Sequence, residues 1–333
     1  MNTGGGWSRR SVEDAMADTP LTSPTAPTFY FIGVTTGQSS SRRIFPLWMQ
    51  ALGRPDVVWA GVDLPIHAGP ERYRQVTAHI KREPLALGAL VTTHKIDLLA
   101  AAGDLFDELG PFASVTQEVS SIAKEGDRLV GRATDPVAGG LSLDAILGPG
   151  YFGRTGGEVL LLGAGGAAAA LALHLVRKRR PADRPRRIVV VNRSAGRLAR
   201  LRRMVARLSS VINFDYVQNV DPRRNDELLA GLPPGSLAIN ATGMGKDRPG
   251  SPLSDEALFP RHGVVWDLNY RGALDFLRQA RAQQQVRNLT VADGWEYFVH
   301  GWSQVISHVL HVDIDPALFA RLSQLAATVR AQR

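Results

Sequence analysis

Past residue 27 the chain alternates between two hydrophobic patterns. Short apolar runs are separated by stretches in which apolar residues return every three or four positions; the first pattern predicts strands, the second amphipathic helices. "TFYFIGV" (28–34) reads as a strand, "SSRRIFPLWMQALG" (40–53) as a helix, and "DVVWAGVDL" (56–64) as a second strand. A helix over 69–83, a strand over 85–92 and a helix over 95–110, closed by Gly110, follow. "VSSIAKEGDRLVGRAT" (119–134) predicts a hairpin turning at Glu125-Gly126-Asp127. Such alternation predicts a βαβ-type layered domain.

A second set starts with the apolar strand "EVLLL" (158–162), a small-residue helix, and "RRIVVV" (186–191). A helix over 195–210 and strands over 213–218, 235–242 and 263–270 come next, and helices near 273–285, 294–311 and 315–331 finish the chain. No segment repeats at a fixed period.

Composition narrows the function classes. At 333 residues, 44% hydrophobic and 21% charged, the chain has the make-up of a globular protein with two domains. Cysteine is absent, which excludes disulfides, thiolate nucleophiles and cysteine-based metal sites and fits a cytoplasmic protein. No apolar run has the length of a membrane span. Residues 1–27 are rich in Gly, Ser, Thr and Pro and aperiodic, so a disordered extension is expected there. The net charge of +8 is concentrated in "RKRRPADRPRR" (177–187), where prolines break the run and no aromatic residues interleave. A solvated helix end is expected rather than a nucleic-acid surface, and a basic balance suits anionic ligands.

The chemistry is first legible at "LLLGAGGAAAALALHLV". Gly163, Gly165 and Ala168 have the G-x-G-x-x-A spacing, after an apolar strand and at the opening of a small-residue helix. That context predicts a dinucleotide pyrophosphate held by the backbone of Gly163, Ala164, Gly165, Gly166 and Ala167 at a helix N-terminus. The next strand ends in "VVNRSAGR" instead of the acidic residue that takes the ribose hydroxyls of NAD. Asn192, Arg193, Ser194 and Arg197 there predict a 2′-phosphate, hence NADP(H), with NAD the alternative. "NATGMG" (240–245) ends another strand, and Thr242, Gly243 and Met244 are candidates for the nicotinamide end.

Two further residues stand out. "GALVTTHKIDLL" delivers Lys95 where a strand gives way to a helix, and "GRATDPVAGG" offers Asp135, expected to close the hairpin and face a cleft. A lysine and an aspartate could hold an alcohol between them, the lysine taking the hydroxyl proton as hydride leaves the same carbon. Spacing alone does not establish that pairing.

From about residue 29 to 311 the order of these features resembles the shikimate dehydrogenase family, including its quinate/shikimate relatives. "GVTTGQSSSRRIFP" (33–46) is similar to that family's substrate loop, which implies Ser39 and Ser41 as carboxylate ligands. "VTTHK" and "GRATDPVAG" resemble its catalytic lysine and aspartate segments, which implies Lys95 and Asp135 as the catalytic pair. "GAGGAAAA", "NRSAGR" and "NATGMG" resemble its cofactor motifs, "WDLNY" the strand carrying a substrate-pocket tyrosine (Tyr270), and "DGWEYFVHG" a glycine-led helix (Gly294). Thr92, Ser120 and Gln304 complete the implied substrate set.

The implied protein is two-domain α/β. A Rossmann-type NADP-binding domain covers 136–270, and an α/β substrate domain covers 28–135 and 271–333, completed by C-terminal helices. The implied reaction interconverts a cyclic hydroxy acid and its 3-keto form, by a monomer or homodimer. No metal is expected: His300, Gln304 and His308 share a helix face, with no carboxylate. The chain departs from the family in four places. A proline is missing before His94-Lys95, Phe45 and Pro46 replace a histidine and an asparagine, and Ser120 and Gly301 replace an asparagine and a glutamine. A ring acid related to shikimate is therefore expected. Two rivals stay open, a non-catalytic NADP/ring-acid sensor and another Rossmann dehydrogenase such as a methylene-tetrahydrofolate type.

Overall fold

The computed structural model describes residues 21–246 and 248–331, so most of the expected disordered extension lies outside the described residues. Its part at 21–27 is held: Leu21 packs on the core, Ser23 Oγ donates to Glu83 Oε1 at 3.0 Å, and Pro27 O accepts from Val58 N at 2.8 Å. The chain divides into two compact units, one up to Ala133 plus Val305 onward, the other Thr134–Gln304.

In the first unit the order is β1 (Thr28–Gly33), α1 (Ser41–Ala51), β2 (Val58–Asp63), α2 (Pro70–Arg82), β3 (Ala86–Val91), α3 (Lys95–Ala102), β4 (Glu108–Leu109), α4 (Pro111–Thr116), β5 (Ser121–Glu125) and β6 (Arg128–Arg132). The sheet order is β2-β1-β3-β5-β6-β4. β1, β2 and β3 are parallel, while β5 and β6 form the expected hairpin, with Gly126 at φ +64° in its two-residue turn. One face buries Tyr30, Ile32, Val62 and Val91 with Tyr73, Val76 and Ile80 of α2 and Leu98 of α3. On α1, Phe45 meets Phe29 at 5.1 Å between ring centroids. The buried Trp48 Nε1 donates to Leu322 O at 2.8 Å, tying α1 to the last helix.

The helix expected over 95–110 stops at Ala102. Arg74 pairs with Asp104 and donates to Ala101 O, and Asp107 accepts from Lys81 Nζ and Leu129 N. These contacts pull 103–109 into a short turn and strand beside β6, which apolar periodicity does not encode.

The second unit runs α5 (Asp135–Leu147), α6 (Tyr151–Thr155), β7 (Val159–Leu162), α7 (Gly166–Arg177), β8 (Arg187–Asn192), α8 (Ala195–Ala206), β9 (Asn213–Gln218), α9 (Pro222–Ala230), β10 (Leu237–Asn240), β11 (Val264–Asp267), α10 (Asp275–Arg287) and β12 (Thr290–Ala292). The six strands pair in parallel in the order β12-β11-β10-β7-β8-β9. Read from β9, this is the doubly wound order of a Rossmann sheet, with its switch point between β7 and β10. β7 and β10 are buried at every position, as expected of strands covered on both faces. α10 packs on β11 and β12, so it lies with this unit, whereas the sequence reading assigns 271 onward to the other. α11 (Trp295–Leu310) starts in the second unit and ends in the first, and α12 (Pro316–Ala331) belongs to the first. Among the described residues no helix is long and apolar enough to cross a membrane.

Asp135 does not close the hairpin but is the first residue of α5, followed by Pro136 at a position where its missing N–H costs nothing. α5 went unforeseen because it is small and apolar all round. Gly139 and Gly140 let it lie tight against α7: a β-carbon at Gly140 would sit 2.2 Å from His174 Nδ1.

Candidate functional site

In the first unit the implied substrate residues gather at the carboxyl ends of β1 and β3. Thr36 N and Oγ1 both donate to Asp63 Oδ1, at 2.7 and 2.5 Å, which anchors the loop after β1. Beyond it Ser41 Oγ donates to Ser39 Oγ at 2.8 Å and Ser41 N to the same oxygen at 3.2 Å, so the two hydroxyls are adjacent. Thr92 N donates to Ile32 O at 2.9 Å, and a β-carbon at Gly33 would touch both Thr36 and Thr92. Phe45 is fully buried in the core, so it lines no site. Pro46 lies exposed in α1.

Lys95 is the first residue of α3 and half-buried. Thr93 before it has φ +61°, a costly angle for a β-branched residue and the means by which β3 turns abruptly into α3. His94 is buried, its Nδ1 3.0 Å from Tyr73 Oη, and burial holds its pKa below the ordinary value. The imidazole preceding Lys95 thus gives up its proton more readily than an exposed one. Lys95 O accepts from Val119 N at 3.1 Å, while Ser120 O accepts from Val91 N at 2.9 Å and Ser120 N donates to Arg132 O at 3.0 Å. The start of β5 is therefore laced to the Lys95 turn, which brings Thr92, Lys95 and the buried Ser120 to one edge of the sheet. Further along, Ser121 Oγ lies 2.7 Å from His308 Nδ1, both side chains buried. His308 is thus a packing partner of β5.

In the second unit Gly163 leaves β7 at φ +122°, and a β-carbon there would lie 2.7 Å from Ala241 O. Gly165, just before α7, is different: a β-carbon there would meet nothing within 4 Å. Ala168 is fully buried. The loop thus leaves open space at the helix N-terminus where a pyrophosphate needs it. Asn192 Oδ1 accepts from Ser194 N at 2.8 Å, and Ser194 Oγ accepts from Arg197 N, capping α8. Arg193 and Arg197 are exposed and, among the described residues, form no ion pair. Their guanidiniums fit the demands of a phosphate on the adenosine ribose.

The Thr242–Met244 turn is braced from within. Thr242 N and Oγ1 donate to Asn240 Oδ1 at 3.0 and 2.6 Å, and Asn269 Nδ2 donates to the carbonyls of Thr242 and Met244 at 3.0 and 3.1 Å. Tyr270 follows, its ring 4.7 Å from Phe298 and 5.4 Å from Trp295. Gly294 is buried: a β-carbon there would lie 2.0 Å from Leu268 O, so its glycine serves close packing of the α11 start on β11. Gln304 is half-buried on α11, one turn before His308. Sequence reasoning passed over Asn240, Asp267 and Asn269 as chemistry. Their signal was the repeated placement of short polar residues at the ends of apolar strands, in "LAINAT" and "VVWDLN".

No family model matches the chain. It is 32% identical over 246 residues to the shikimate dehydrogenase (NADP+) of Symbiobacterium thermophilum, covering 73% of this chain and 75% of that protein. The shikimate dehydrogenase (NADP+) of Methylobacterium radiotolerans is 29% identical over 277 residues, covering 82% and 88%. Among solved structures, quinate dehydrogenase from Corynebacterium glutamicum in complex with NAD superposes with TM-score 0.72 at 19% identity, over 91% of this chain and 99% of that one. Shikimate 5-dehydrogenase from Thermus thermophilus, in complex with NADP(H) and shikimate, gives 0.63 at 24%, over 90% and 99%. With a Rossmann sheet and an open glycine loop, and 32% identity across 73% of its length to a shikimate dehydrogenase, the chain is an oxidoreductase and belongs to the shikimate dehydrogenase family.

Proposed function

We propose that this protein uses NADP(H) to interconvert a cyclic hydroxy acid, namely shikimate, quinate or a modified analogue, and its 3-keto form. When bound, the nicotinamide supplies the acceptor or donor of hydride. Ser39 and Ser41 present adjacent hydroxyls to the substrate carboxylate. The hydroxyl proton passes to the Lys95 amine as the C–H bond breaks and the carbonyl forms; reduction runs the same steps in reverse. Asp135 is the second member of that pair, accepting a hydrogen bond that orients the alcohol. Thr92 and Ser120 meet ring hydroxyls, together with Tyr270 and Gln304.

The observation that carries the cofactor reading is the space beyond Gly165, together with two arginines that no carboxylate among the described residues neutralises. NADP is favoured over NAD because Arg193 and Arg197 stand where an acidic residue would repel a 2′-phosphate. The curated relatives favour an enzyme over a sensor or a methylene-tetrahydrofolate type. Of the family's ring contacts Ser120 is shorter than an asparagine and Phe45 faces the core, which supports a ring acid with a changed substituent.

The test is absorbance of the reduced nicotinamide with NADP and NAD separately, against shikimate, quinate and amino-substituted analogues, on the wild type and Lys95→Ala. Turnover of one substrate, lost in Lys95→Ala with binding retained, is expected. Equal turnover by Lys95→Ala would remove the lysine from the chemistry.

A further inference from the structure

Asp267 ends β11 fully buried, beside its ladder partner Asn240 on β10. Its Oδ1 accepts three N–H groups, from Asn240 Nδ2 at 3.1 Å, Asn269 N at 2.9 Å and Asn269 Nδ2 at 2.8 Å. Both amides pass the constraint on. Asn240 takes the two donors of Thr242, and Asn269 holds the carbonyls of Thr242 and Met244. One carboxylate oxygen therefore sets the orientation of the two side chains that brace the turn. Its other oxygen, Oδ2, meets no donor among the described residues.

We propose that Asp267 is a positioning residue for the cofactor: its ionised carboxylate, acting through Asn240 and Asn269, holds the Thr242–Met244 turn in the shape that receives the nicotinamide end of the dinucleotide. The inference rests on the cofactor reading above. Hydrogen bonds to an ionised acceptor are shorter and stronger than those to a neutral one. A proton would go to Oδ2, where no donor opposes it, and would leave Oδ1 a weaker, carbonyl-like acceptor. Burial pushes the pKa of this carboxyl up to about 6, with the charge of Asp293 adding to the rise and the three N–H groups opposing it. The groups facing it are Asn240 from β10 and Asn269 from the segment after β11, with Asp293, just past β12, acting on it by its charge. Of these Asp293 alone carries an ionisable side chain. The turn is therefore held tightest above pH 6 and loosens below it. Folding alone would be better served by a neutral group of the same shape.

Asp267→Asn keeps that shape and offers a neutral oxygen. Dissociation constants for NADP would be measured by quenching of tryptophan fluorescence between pH 5 and 9 on the full chain, alongside thermal unfolding. At pH 8 the variant is expected to bind NADP at least tenfold more weakly with a Tm no lower than wild type. The ratio of the two constants should shrink toward one as pH falls through 6. Titration of the cofactor's own 2′-phosphate is common to both proteins and cancels from the ratio. A ratio that stays flat with pH, or equal affinities at pH 8, overturns the positioning role alone. A wild type that binds no NADP at pH 8 overturns the cofactor reading and this one with it. Should Asp267→Asn not fold, Asn269→Ala cuts the relay while keeping the charge: tenfold weaker binding at pH 8 supports the role, and unchanged binding overturns it.

Discussion

Two glycines two residues apart separate folding from binding. At Gly163 a methyl group would sit 2.7 Å from Ala241 O, a backbone atom, on a residue whose φ of +122° an L-residue rarely adopts. Backbone strain of that kind costs about 1–3 kcal/mol and overpacking roughly another 1–3. Gly163→Ala should therefore destabilise the second unit by about 2–6 kcal/mol, lowering its Tm by roughly 5–20 °C for a unit of this size. At Gly165 the backbone (φ −86°, ψ −169°) suits alanine and the new methyl would meet nothing within 4 Å. The entropy gained by restricting the unfolded chain, about 0.4–1 kcal/mol, offsets the poorer cap that alanine makes. Gly165→Ala should keep the wild-type Tm within a degree or two. Its methyl stands where the pyrophosphate must come, however, and overpacking of about 1–3 kcal/mol corresponds to roughly 5- to 150-fold weaker NADP binding. Scanning calorimetry and a fluorescence titration read both variants. Wild-type NADP affinity in a stable Gly165→Ala protein would refute the assignment of this loop to the phosphates.

Lys95→Met keeps the stem of the side chain and removes the base, so kcat should fall by about 10²–10⁴ with the Tm unchanged, checked by steady-state kinetics on whichever ring acid is turned over. Arg193→Ala and Arg197→Ala, at exposed positions that form no ion pair among the described residues, should each weaken NADP by about tenfold while leaving NAD unaffected, so the ratio of kcat/KM for the two cofactors reports the 2′-phosphate contact. Burial, with Arg132 and His311 adding, lowers the pKa of His308 from 6.5 to about 3. Between those values the unfolded chain binds a proton that the folded one refuses. Stability of the first unit is then complete above pH 6.5 and falls with acidification by up to about 1.4 kcal/mol per pH unit. Urea unfolding from pH 7 to 4 should show that slope, and His308→Gln should flatten it.

What could be read from the sequence follows the physics of each segment. β7 and the Ile188–Val191 stretch of β8 are apolar because both faces of a parallel sheet are covered, and a glycine loop after such a strand has few other uses. α5 hides for a related reason: a helix buried on several sides carries no amphipathic stripe, and its double glycine reads as a turn until α7 is seen against it. β4 and β12, two and three residues long, fall below the length at which periodicity exists. The brace at Asp267 was invisible because an aspartate at a strand end looks like any turn residue. Its meaning lies in a fully buried carboxylate that meets two asparagines, one from a strand 27 positions away.

The same distinction bears on substrate choice. Aligned motifs compare residue types, but a type contributes to a site only if its side chain is presented there. Phe45 follows the paired serines closely enough to count, by alignment, as a changed site residue. In the fold it packs against Phe29 at a tilt with no exposed surface, and the position has been given over to the core. Ser120, also buried, differs in place: it lies on the sheet edge that carries Lys95 and Thr92, with one short hydroxyl where the family has an amide. In the site proposed above, the family's polar groups are then gone at Phe45, Pro46 and Gly301 and shortened at Ser120. A substrate lacking the matching ring hydroxyl should lose little here, whereas a site built to bind that hydroxyl would reject it by orders of magnitude. Ser120→Asn is accordingly expected to shift relative kcat/KM toward the more hydroxylated of two paired ring acids. An unchanged ratio in a folded variant would mean that the residue does not read the ring.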